Sequence, residues 1–553
     1  MSCKNFTAKK KIFYIIAILI FSVGVFLRTW HFHDWLLFRD DQVRDAYLVG
    51  QVVRGESPWP LLGPSMNYSG ISKSKVDYFH LGPIYYYFQI MSAKVFGDYP
   101  DRLAYPDVFF SILSIPLFYL FLKIYFSKNL SLSITAVYAV SAYFIHSSRF
   151  AWNSNLIPFF VLLFLVSLYE FFKDNEKTSW LWVISLGVAL GVGFQLHAII
   201  MALFSIIVFV MFVFSMKRNY MAWKKWVVVV LVFLVCNSGQ IINEMTTNFS
   251  NSKRLVNFSF KNSGNDAPES RLAALADNAG CHIEANFFFL FSYGSDVSPY
   301  GSNICSYEFT NDLPKILEKS FSKIMKEKIY LIVLLVSFLS YIIGYSLLIY
   351  YNIKEEGTSK KYFLRLIALY AGILYLITIP LSAAGQFSDL RYFTPIFFMP
   401  FVFLGFLVKF MSEKLTKIYI IPAIIIFSLL LWSNVTAISA EAKPLLAKNR
   451  TCSSNIPTLG ELNSVTQYIA SQSNGEKNIY VDIRNKELSS IKPLMYLLEK
   501  GNLNPIRITR GTIDVTSADH AVFFISCESM PEYSYGYQQI GNFYVYQITN
   551  KKK

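Results

Sequence analysis

Long apolar runs recur along the chain, and short polar segments separate them. A helix needs about 20 mainly apolar residues to cross a bilayer. Lys9-Lys10-Lys11 precedes the first run, which ends near Leu27, and no small-residue cleavage site follows it, so we expect a retained first span. Further runs of sufficient length lie near 105–123, 130–147, 156–173, 180–196, 199–215, 226–243, 329–351, 362–381, 393–409 and 418–434. The pattern predicts an α-helical polytopic membrane protein with about eleven transmembrane helices.

Composition agrees with this fold class. Hydrophobic residues make up 54% of the 553 residues and charged residues 16%, against roughly 25% charged in soluble domains. That excludes a cytosolic globular protein and a disordered one. The net charge is +15, which in a membrane protein indicates cytoplasmic loops. The sequence has no zinc-finger spacing, Gly-rich phosphate loop or dinucleotide fingerprint, and we expect no nucleic-acid partner.

The segment 80–97 is apolar and rich in tyrosine, and counting it as a span would reverse every later loop. If 80–97 lies on the outer surface, nineteen Lys and Arg residues fall in cytoplasmic loops, and only Arg149 and Arg391 fall in short outer loops. The positive-inside rule favours this arrangement. We therefore interpret 80–97 as an interfacial helix.

Three long segments then face outward: 28–104, 244–328 and 435–553. The last is long enough to fold by itself. It alternates helix-like runs (458–471, 488–500) with β-rich runs (479–483, 521–526, 543–548). The prediction is a transmembrane catalytic module at 1–434 and an extracytoplasmic α/β domain at 435–553.

Four cysteines fall on the predicted outer side, where an oxidising compartment permits disulfides. Pairing within segments gives Cys281–Cys305 and Cys452–Cys527. Each bridge would contribute roughly 3–4 kcal/mol by loop entropy. The alternative is four free thiols.

The first outer segment opens with a charged motif, Arg39-Asp40-Asp41-Gln42-Val43-Arg44-Asp45. Asp41, Arg44 and Asp45 share one helical face by their i,i+3 and i,i+4 spacing. One interpretation is a helix start with local ion pairs. Other polar stretches on the same predicted face favour a functional site instead: 80–87, 146–153 and 390–395.

In their order and spacing these motifs resemble the GT-C fold of polyprenyl-phosphate-sugar-dependent glycosyltransferases. The protein O-mannosyltransferase family and the lipid A aminoarabinose transferase are the most similar groups. Residues 41–46 align without a gap with the D-E-x-R-Y-A motif of that family. The resemblance implies that Asp41 is the catalytic residue and that Arg44 contacts the lipid phosphate. Stretches similar to the family's H-P-P-L-Y-Y, S-R-x-x-W-N and R-Y-x-x-P supply His80, Arg149, Asn153, Arg391 and Tyr392.

This chain departs from the family pattern at three places. Gln42 replaces the second acidic residue, Asp45 stands where Tyr is common, and Leu81-Gly82 replaces basic or Pro residues. The first departure argues against a metal role at that position. The sequence therefore assigns no definite cofactor and leaves a divalent metal ion as an alternative.

Elementary chemistry leads to the same reaction. A sugar carried on a lipid phosphate needs no nucleotide site, and the departing lipid phosphate is a stable anion that needs charge stabilisation. Arg44 suits that role, and a carboxylate such as Asp41 can act as base toward an acceptor hydroxyl. We expect an inverting membrane glycosyltransferase. The alternatives are a lipid-linked glycan flippase or transporter, and a polymerase or ligase that uses a lipid-linked oligosaccharide donor.

The remaining candidates each have a structural alternative. Asp45 and His80 are expected to bind substrate, as are Arg149, Asn153, His197, Arg391 and Tyr392. Arg391 could instead pair with Asp389, Arg149 could belong to an interfacial belt, and His197 could be an interior histidine. His80 and His197 alone are no metal signature. Expected partners are the donor lipid, membrane lipid, and a glycan, lipid or protein acceptor, and the expected location is a bacterial inner membrane.

Overall fold

The computed structural model describes residues 2–66, 79–173, 179–216, 223–261, 282–283, 287–292, 328–383, 390–446, 457–483, 491–507, 521–526, 537–541 and 543–548. The four predicted disulfide cysteines, Cys281, Cys305, Cys452 and Cys527, lie outside these residues, and their pairing stays a prediction. Within the described ranges the chain forms a helical bundle followed by a small α/β unit.

The helices that precede the α/β unit are α1 (Ser2–Thr29), α2 (Phe32–Trp35), α3 (Asp40–Val53), α4 (Ile84–Phe96), α5 (Pro100–Leu103), α6 (Tyr105–Lys123), α7 (Lys128–Ala139), α8 (Ala142–Ser147), α9 (Ile157–Lys173), α10 (Trp180–Leu196), α11 (Ala198–Met216), α12 (Trp223–Cys236), α13 (Ser238–Thr246), α14 (Ser250–Lys261), α15 (Lys328–Lys354), α16 (Thr358–Ala383), α17 (Met399–Lys414) and α18 (Ile420–Leu446). Short 3-10 helices at Asn153–Leu156, Leu390–Ile396 and Thr416–Tyr419 lead into α9, α17 and α18.

Among the described residues, seven helical segments are long and apolar enough to cross a membrane, and the bent pair α12–α13 would make eight. α10 and the apolar part of α11 are shorter apolar helices. The remaining predicted span, 130–147, is divided into α7 and α8. The division occurs where the Ala142 amide donates to Oδ1 of Asn434 (2.9 Å) and the Ser141 hydroxyl donates to the Phe289 carbonyl (3.0 Å). Polar groups of other segments thus replace the helical hydrogen bonds at the break.

α4 corresponds to the segment that was interpreted as interfacial. Its 13 residues reach only about 20 Å at 1.5 Å per residue, too short for a span. It packs against α3, α6 and α10, and it ends at Gly97, whose φ of 98° is readily adopted only by glycine. α4 therefore lies across the end of the bundle near α3.

The chain ends in an α/β unit with helices α19 (Leu459–Gln472) and α20 (Ile491–Lys500). Its strands are β3 (Asn478–Ile483), β4 (Asn504–Arg507), β5 (Val522–Ser526), β6 (Tyr537–Ile540) and β7 (Phe543–Ile548), after the two-residue strands β1 (Ser65–Met66) and β2 (Phe79–His80) of the first outer segment. The sheet order is β4-β3-β5-β7-β6; β3 is parallel to β4 and β5, and β7 is antiparallel to β5 and β6. All the predicted helices and strands of this unit are present. β4 and β6 escape sequence prediction because they are exposed edge strands with no apolar alternation.

The α/β unit packs directly on the first outer segment. Val43 and Val49 of α3 share one buried apolar cluster with Leu459, Leu462 and Val465 of α19. The contact is also polar, because the Leu459 amide donates to the Leu36 carbonyl (2.8 Å) and the Tyr99 hydroxyl to Oδ1 of Asn463 (2.6 Å). Residues 28–66, residues 79–104 and the described part of the C-terminal unit therefore occupy the same end of the bundle. The domain boundary at 434/435 stays a prediction, since α18 runs through it to Leu446.

Candidate active site

The predicted catalytic motif forms the first turns of α3. Arg44 bridges two carboxylates: its Nη1 donates to Oδ1 of Asp41 (3.0 Å), and its Nε and Nη2 donate to Oδ1 of Asp45 (2.9 and 2.8 Å). The Asp41 side chain is 57% exposed, that of Arg44 43% and that of Asp45 only 4%. The Arg44 guanidinium is thus anchored on the buried Asp45 carboxylate and also holds the exposed Asp41 carboxylate.

Tyr86 of α4 completes the anchor, because its hydroxyl also donates to Oδ1 of Asp45 (2.9 Å). Burial raises the pKa of the Asp45 carboxyl from 3.8 to about 6, and the Arg44 guanidinium and the Tyr86 hydroxyl oppose that rise. Burial also disfavours the charged form of Arg44, but the nearby Asp45 and Asp41 carboxylates outweigh it and raise the pKa of Arg44. Arg44 is therefore a fixed cation whose orientation depends on Asp45.

Gln42 ties the motif to the loop after α8. Its Oε1 accepts from the Arg39 amide (3.1 Å), and its Nε2 donates to the Ala151 carbonyl (2.9 Å). An amide can accept and donate at once, whereas an ionised carboxylate only accepts. The departure from the acidic residue of the family therefore has a structural reason here.

Arg149 lies in that loop, buried beside the first outer segment. Its Nη2 donates to the Leu27 carbonyl (2.6 Å), and its guanidinium lies 5.5 Å from the centre of the Trp35 ring. Burial lowers the pKa of Arg149 to about 10, and Glu441 opposes this. Its Nη1 is buried with no hydrogen-bond partner among the described residues, so this atom can donate to a ligand oxygen.

Asn153, His197 and Tyr392, three of the predicted substrate-binding residues, lie near one another. The Asn153 amide donates to the Leu196 carbonyl, next to His197. The His197 and Tyr392 rings meet edge to face with centroids 5.6 Å apart. All three side chains are buried. Asn153 follows Ala151 and Trp152 directly in the chain, and Ala151 is the residue to which Gln42 donates.

His80 and Arg391 are not brought to α3 by any contact in the described part of the chain. His80 lies in β2, where its Nδ1 is 3.1 Å from the Gly63 carbonyl and its backbone pairs with the Asn251 side chain. Arg391 lies in the 3-10 helix Leu390–Ile396, and its side chain is outside the described atoms.

Two acids, the buried Asp107 and the partly buried Glu441, were missed from the sequence. Asp107 accepts from the Tyr85 hydroxyl (3.0 Å) and the Trp152 amide (3.1 Å), and Glu441 contacts Nδ1 of His146. The signal that could have found them is a lone carboxylate near the end of an apolar span: Asp107 stands at the start of α6 and Glu441 at the end of α18. Both acids belong to the same end of the bundle as α3.

The C-terminal unit forms a wall beside the motif. A cavity of about 280 Å³ is lined by Asp40, Arg44 and Tyr47 of α3 and by Lys492 and Arg507 of the C-terminal unit, together with apolar side chains. The Lys492 ammonium donates to Oδ2 of Asp40 (3.0 Å). Within the described residues no three His, Cys, Asp or Glu side chains approach closely enough to hold a metal ion.

The apolar bundle defines an integral membrane protein, and the charged side chains described above lie at one end of that bundle. Residues 80–242, less than half of the chain, match the sequence model of the dolichyl-phosphate-mannose-protein mannosyltransferase family. This match confirms the resemblance to GT-C glycosyltransferases that use polyprenyl-phosphate-linked donors. The matched range begins at His80, so the α3 motif lies before it.

Solved structures of similar proteins include ArnT from Cupriavidus metallidurans bound to undecaprenyl phosphate, with 10% identity, 99% of each chain covered and a TM-score of 0.46. The oligosaccharyltransferase of Archaeoglobus fulgidus in the apo form has 12% identity and a TM-score of 0.49, over 92% of this chain and 66% of that chain. The S. cerevisiae protein O-mannosyltransferase Pmt1-Pmt2 complex bound to the sugar donor has 14% identity and a TM-score of 0.32, over 44% of this chain and 34% of that chain. No curated protein matches this chain. None of these structures reaches a TM-score of 0.5, and no residue of this chain takes a role from them.

Proposed function

We propose that this protein transfers a hexosyl or pentosyl group from a polyprenyl-phosphate carrier to an acceptor hydroxyl, with inversion, at the extracytoplasmic face of a bacterial inner membrane. The observation that carries the proposal is the Asp41–Arg44–Asp45 arrangement on α3, with one exposed carboxylate, one half-exposed guanidinium and one buried anchor. The family match at residues 80–242 supports the donor class.

Arg44 has the donors to hold a phosphate without leaving its anchor. A guanidinium carries five N–H groups, and three of them serve Asp41 and Asp45. Two remain for the phosphate oxygens of the donor, in the bidentate form that suits arginine. As the lipid phosphate departs, Arg44 stabilises its negative charge.

Asp41 acts as the base toward the acceptor hydroxyl. Its ion pair with Arg44 lies between two exposed side chains, and such pairs contribute only about 0–1 kcal/mol. Substrate binding can therefore displace Asp41 from Arg44 at little cost, while the buried Asp45 keeps Arg44 in place. The free carboxylate then accepts the acceptor proton as the hydroxyl attacks the anomeric carbon.

The loop after α8 supplies the other contacts to the donor. The unpaired Nη1 of Arg149 is suited to a phosphate or sugar oxygen. We assign the contacts to the sugar to Asn153, His197 and Tyr392, which are buried close to one another. The C-terminal unit closes the site on the acceptor side through Lys492 and Arg507.

The distribution of buried charge favours an enzyme over a transporter. Transporters bury ionisable groups near the bilayer midplane. Here the buried Arg28, Asp107 and Arg149 and the partly buried Glu441 lie at or beside the span ends nearest α3. Charged groups at the span ends near α3 are placed where a reaction on a lipid-phosphate headgroup would take place.

The test is transfer from a panel of polyprenyl-phosphate sugars by the purified protein in lipid nanodiscs. Nucleotide sugars and lipid-linked oligosaccharides are the comparison donors. We expect release or transfer of one monosaccharide from a lipid phosphate alone. Transfer only from an oligosaccharide donor would replace the proposal with a polymerase or ligase, and transport of a lipid-linked glycan without bond cleavage would replace it with a flippase.

A further inference from the structure

A large groove opens at the end of the bundle away from α3. Its volume is about 1370 Å³, and its lining includes Ile12 from the early part of α1 and Lys123 from the last turn of α6. α7 forms the floor, with Ser133 and Ala136 in the lining, and packs against both α1 and α18. The groove therefore separates α1 from α18 at this end.

The walls of the groove are apolar along the spans. Ile16 and Ile20 of α1 face Ile424, Phe427 and Leu431 of α18 across it. Only 11% of the apolar window of α1 and 22% of that of α18 is buried within the protein. Because an apolar groove at bilayer depth excludes water, hydrocarbon from the surrounding bilayer is the filling that its walls favour.

The end of the groove carries three lysines, Lys123, Lys360 and Lys409, and no carboxylate among its described lining residues. The Lys409 ammonium donates to the Tyr125 hydroxyl (3.0 Å) and lies 4.3 Å from the centre of that ring. The Lys360 ammonium lies 5.9 Å from the centre of the same ring. Two like charges thus share one aromatic ring, and an anion between them would relieve their repulsion.

Two carboxylates near this end offset only part of the charge of the lysine cluster. Glu355 lies beside Tyr125 and Lys409. Glu413 also acts on Lys409, and it accepts from the Lys354 ammonium (2.9 Å). Both lie outside the groove lining, and Lys354 together with the three groove lysines sets four cations against these two carboxylates. An ammonium has three N–H donors, and Tyr125 accepts one from Lys409. Donors for a bound anion therefore remain at the mouth of the groove.

We propose that this groove binds one anionic phospholipid, with its phosphate at Lys360 and Lys409 and an acyl chain between α1 and α18. The occupant is a phospholipid because the groove runs between two spans whose apolar surfaces are largely unburied within the protein. It is anionic because the lysines at the end of the groove attract a negatively charged headgroup. The bound lipid joins two spans that pack little against the rest of the protein. This site is independent of the proposed reaction at α3.

The experiment is native mass spectrometry of the full-length protein from mixed nanodiscs of phosphatidylglycerol and phosphatidylcholine. Wild type is compared with the double variant Lys360→Gln/Lys409→Gln, and Lys414→Gln/Lys417→Gln is the matched control, since those lysines are near in sequence but do not line the groove. Two lysines near an anionic headgroup predict a preference on the order of tenfold for retained phosphatidylglycerol in wild type and control, lost in the first variant. Equal retention by the two variants would overturn the proposal.

A second variant tests the groove itself. Ser133→Trp fills the floor without changing the charge, and we expect it to lose the retained lipid while the lysines remain. A melting temperature within the range of the control variant checks that the protein is folded. Retention of phosphatidylglycerol by Ser133→Trp would overturn the acyl-chain assignment. Displacement of phosphatidylglycerol from wild type by an equal amount of undecaprenyl phosphate would show that the carrier, not a phospholipid, is the occupant.

Discussion

Gln42 of α3 and Ala151 of the loop after α8 are joined by a hydrogen bond from the Gln42 amide to the Ala151 carbonyl, 2.9 Å long. The two residues are far apart in sequence, and Gln42 is almost fully buried. Through this bond the helix that carries Asp41 and Arg44 is held against the loop that carries Arg149. The geometry of the candidate site therefore depends on an amide that does not touch substrate.

We predict that Gln42→Glu destabilises the protein, although the family has an acid at this place. The new carboxylate cannot donate to the Ala151 carbonyl and leaves that buried group without its partner, at a cost of about 1–3 kcal/mol. Gln51→Glu, on a solvent-facing position of the same helix, is the control and should change stability by less than about 0.5 kcal/mol. Thermal unfolding in detergent measures both, and equal stability of the two variants would show that the bond contributes nothing.

Arg44→Gln tests the buried anchor. The variant leaves the Asp45 carboxylate with only the Tyr86 hydroxyl, and we expect a loss of about 2 kcal/mol, less than for a fully buried pair because Arg44 is half exposed. The double variant Arg44→Gln/Asp45→Asn should recover part of that loss, since the buried charge is gone. A double variant whose loss of stability equals or exceeds the sum of the two single losses would contradict the anchor role of Asp45.

The raised pKa of Asp45 predicts a pH dependence of stability. The folded-state pKa is about 6 against 3.8 for the free side chain. The folded state therefore binds more protons than the unfolded state in this interval, and stability falls as the pH rises. Relative to Asp45→Asn, the wild type should lose about 2 kcal/mol of unfolding free energy between pH 4 and pH 7, from 1.36 kcal/mol per pKa unit. Unfolding curves of both proteins across this range measure it, and parallel curves would place the pKa of Asp45 near its ordinary value.

Lys492→Ala tests whether Lys492 of the C-terminal unit contributes to substrate binding without contributing to folding stability. The Lys492–Asp40 pair is exposed and should contribute at most about 1 kcal/mol to folding. Because Lys492 lines the cavity beside Arg44, we expect a KM for substrate raised several-fold with the melting temperature nearly unchanged. Lys477→Ala, at an exposed position directly before β3 of the same unit, should leave both values unchanged. If the two variants behave alike, Lys492 has no part in recognition.

The sequence is sufficient to predict the membrane class and the main elements of the C-terminal unit, because these follow from apolar periodicity. The interfacial position of α4 stays a prediction, which its length of 13 residues permits. The break between α7 and α8 could not be predicted, since it depends on the side chain of Asn434, distant in sequence. The edge strands β4 and β6 were missed because their residues are exposed and carry no alternation.

Motif spacing correctly grouped Asp41 with Arg44 and Asp45 because helical periodicity is local. It placed Asn153 and Tyr392 on the same predicted face but did not include His197, which the structure brings next to both. The roles of Gln42, Asp107 and Glu441 arise from tertiary contacts that spacing along the chain does not reveal.

The most direct test of the account is sugar transfer by Asp41→Asn, with Asp40→Asn as the matched control. Both substitutions remove one exposed carboxylate from the first turn of α3, and only Asp41 contacts Arg44. Loss of a general base predicts a fall in kcat of about 10²–10⁴-fold in Asp41→Asn, with donor binding retained. Asp40→Asn should keep a kcat near that of wild type, and because Asp40 pairs with Lys492, its effect should be confined to KM. Full turnover by Asp41→Asn would contradict the assignment of Asp41 as the catalytic base.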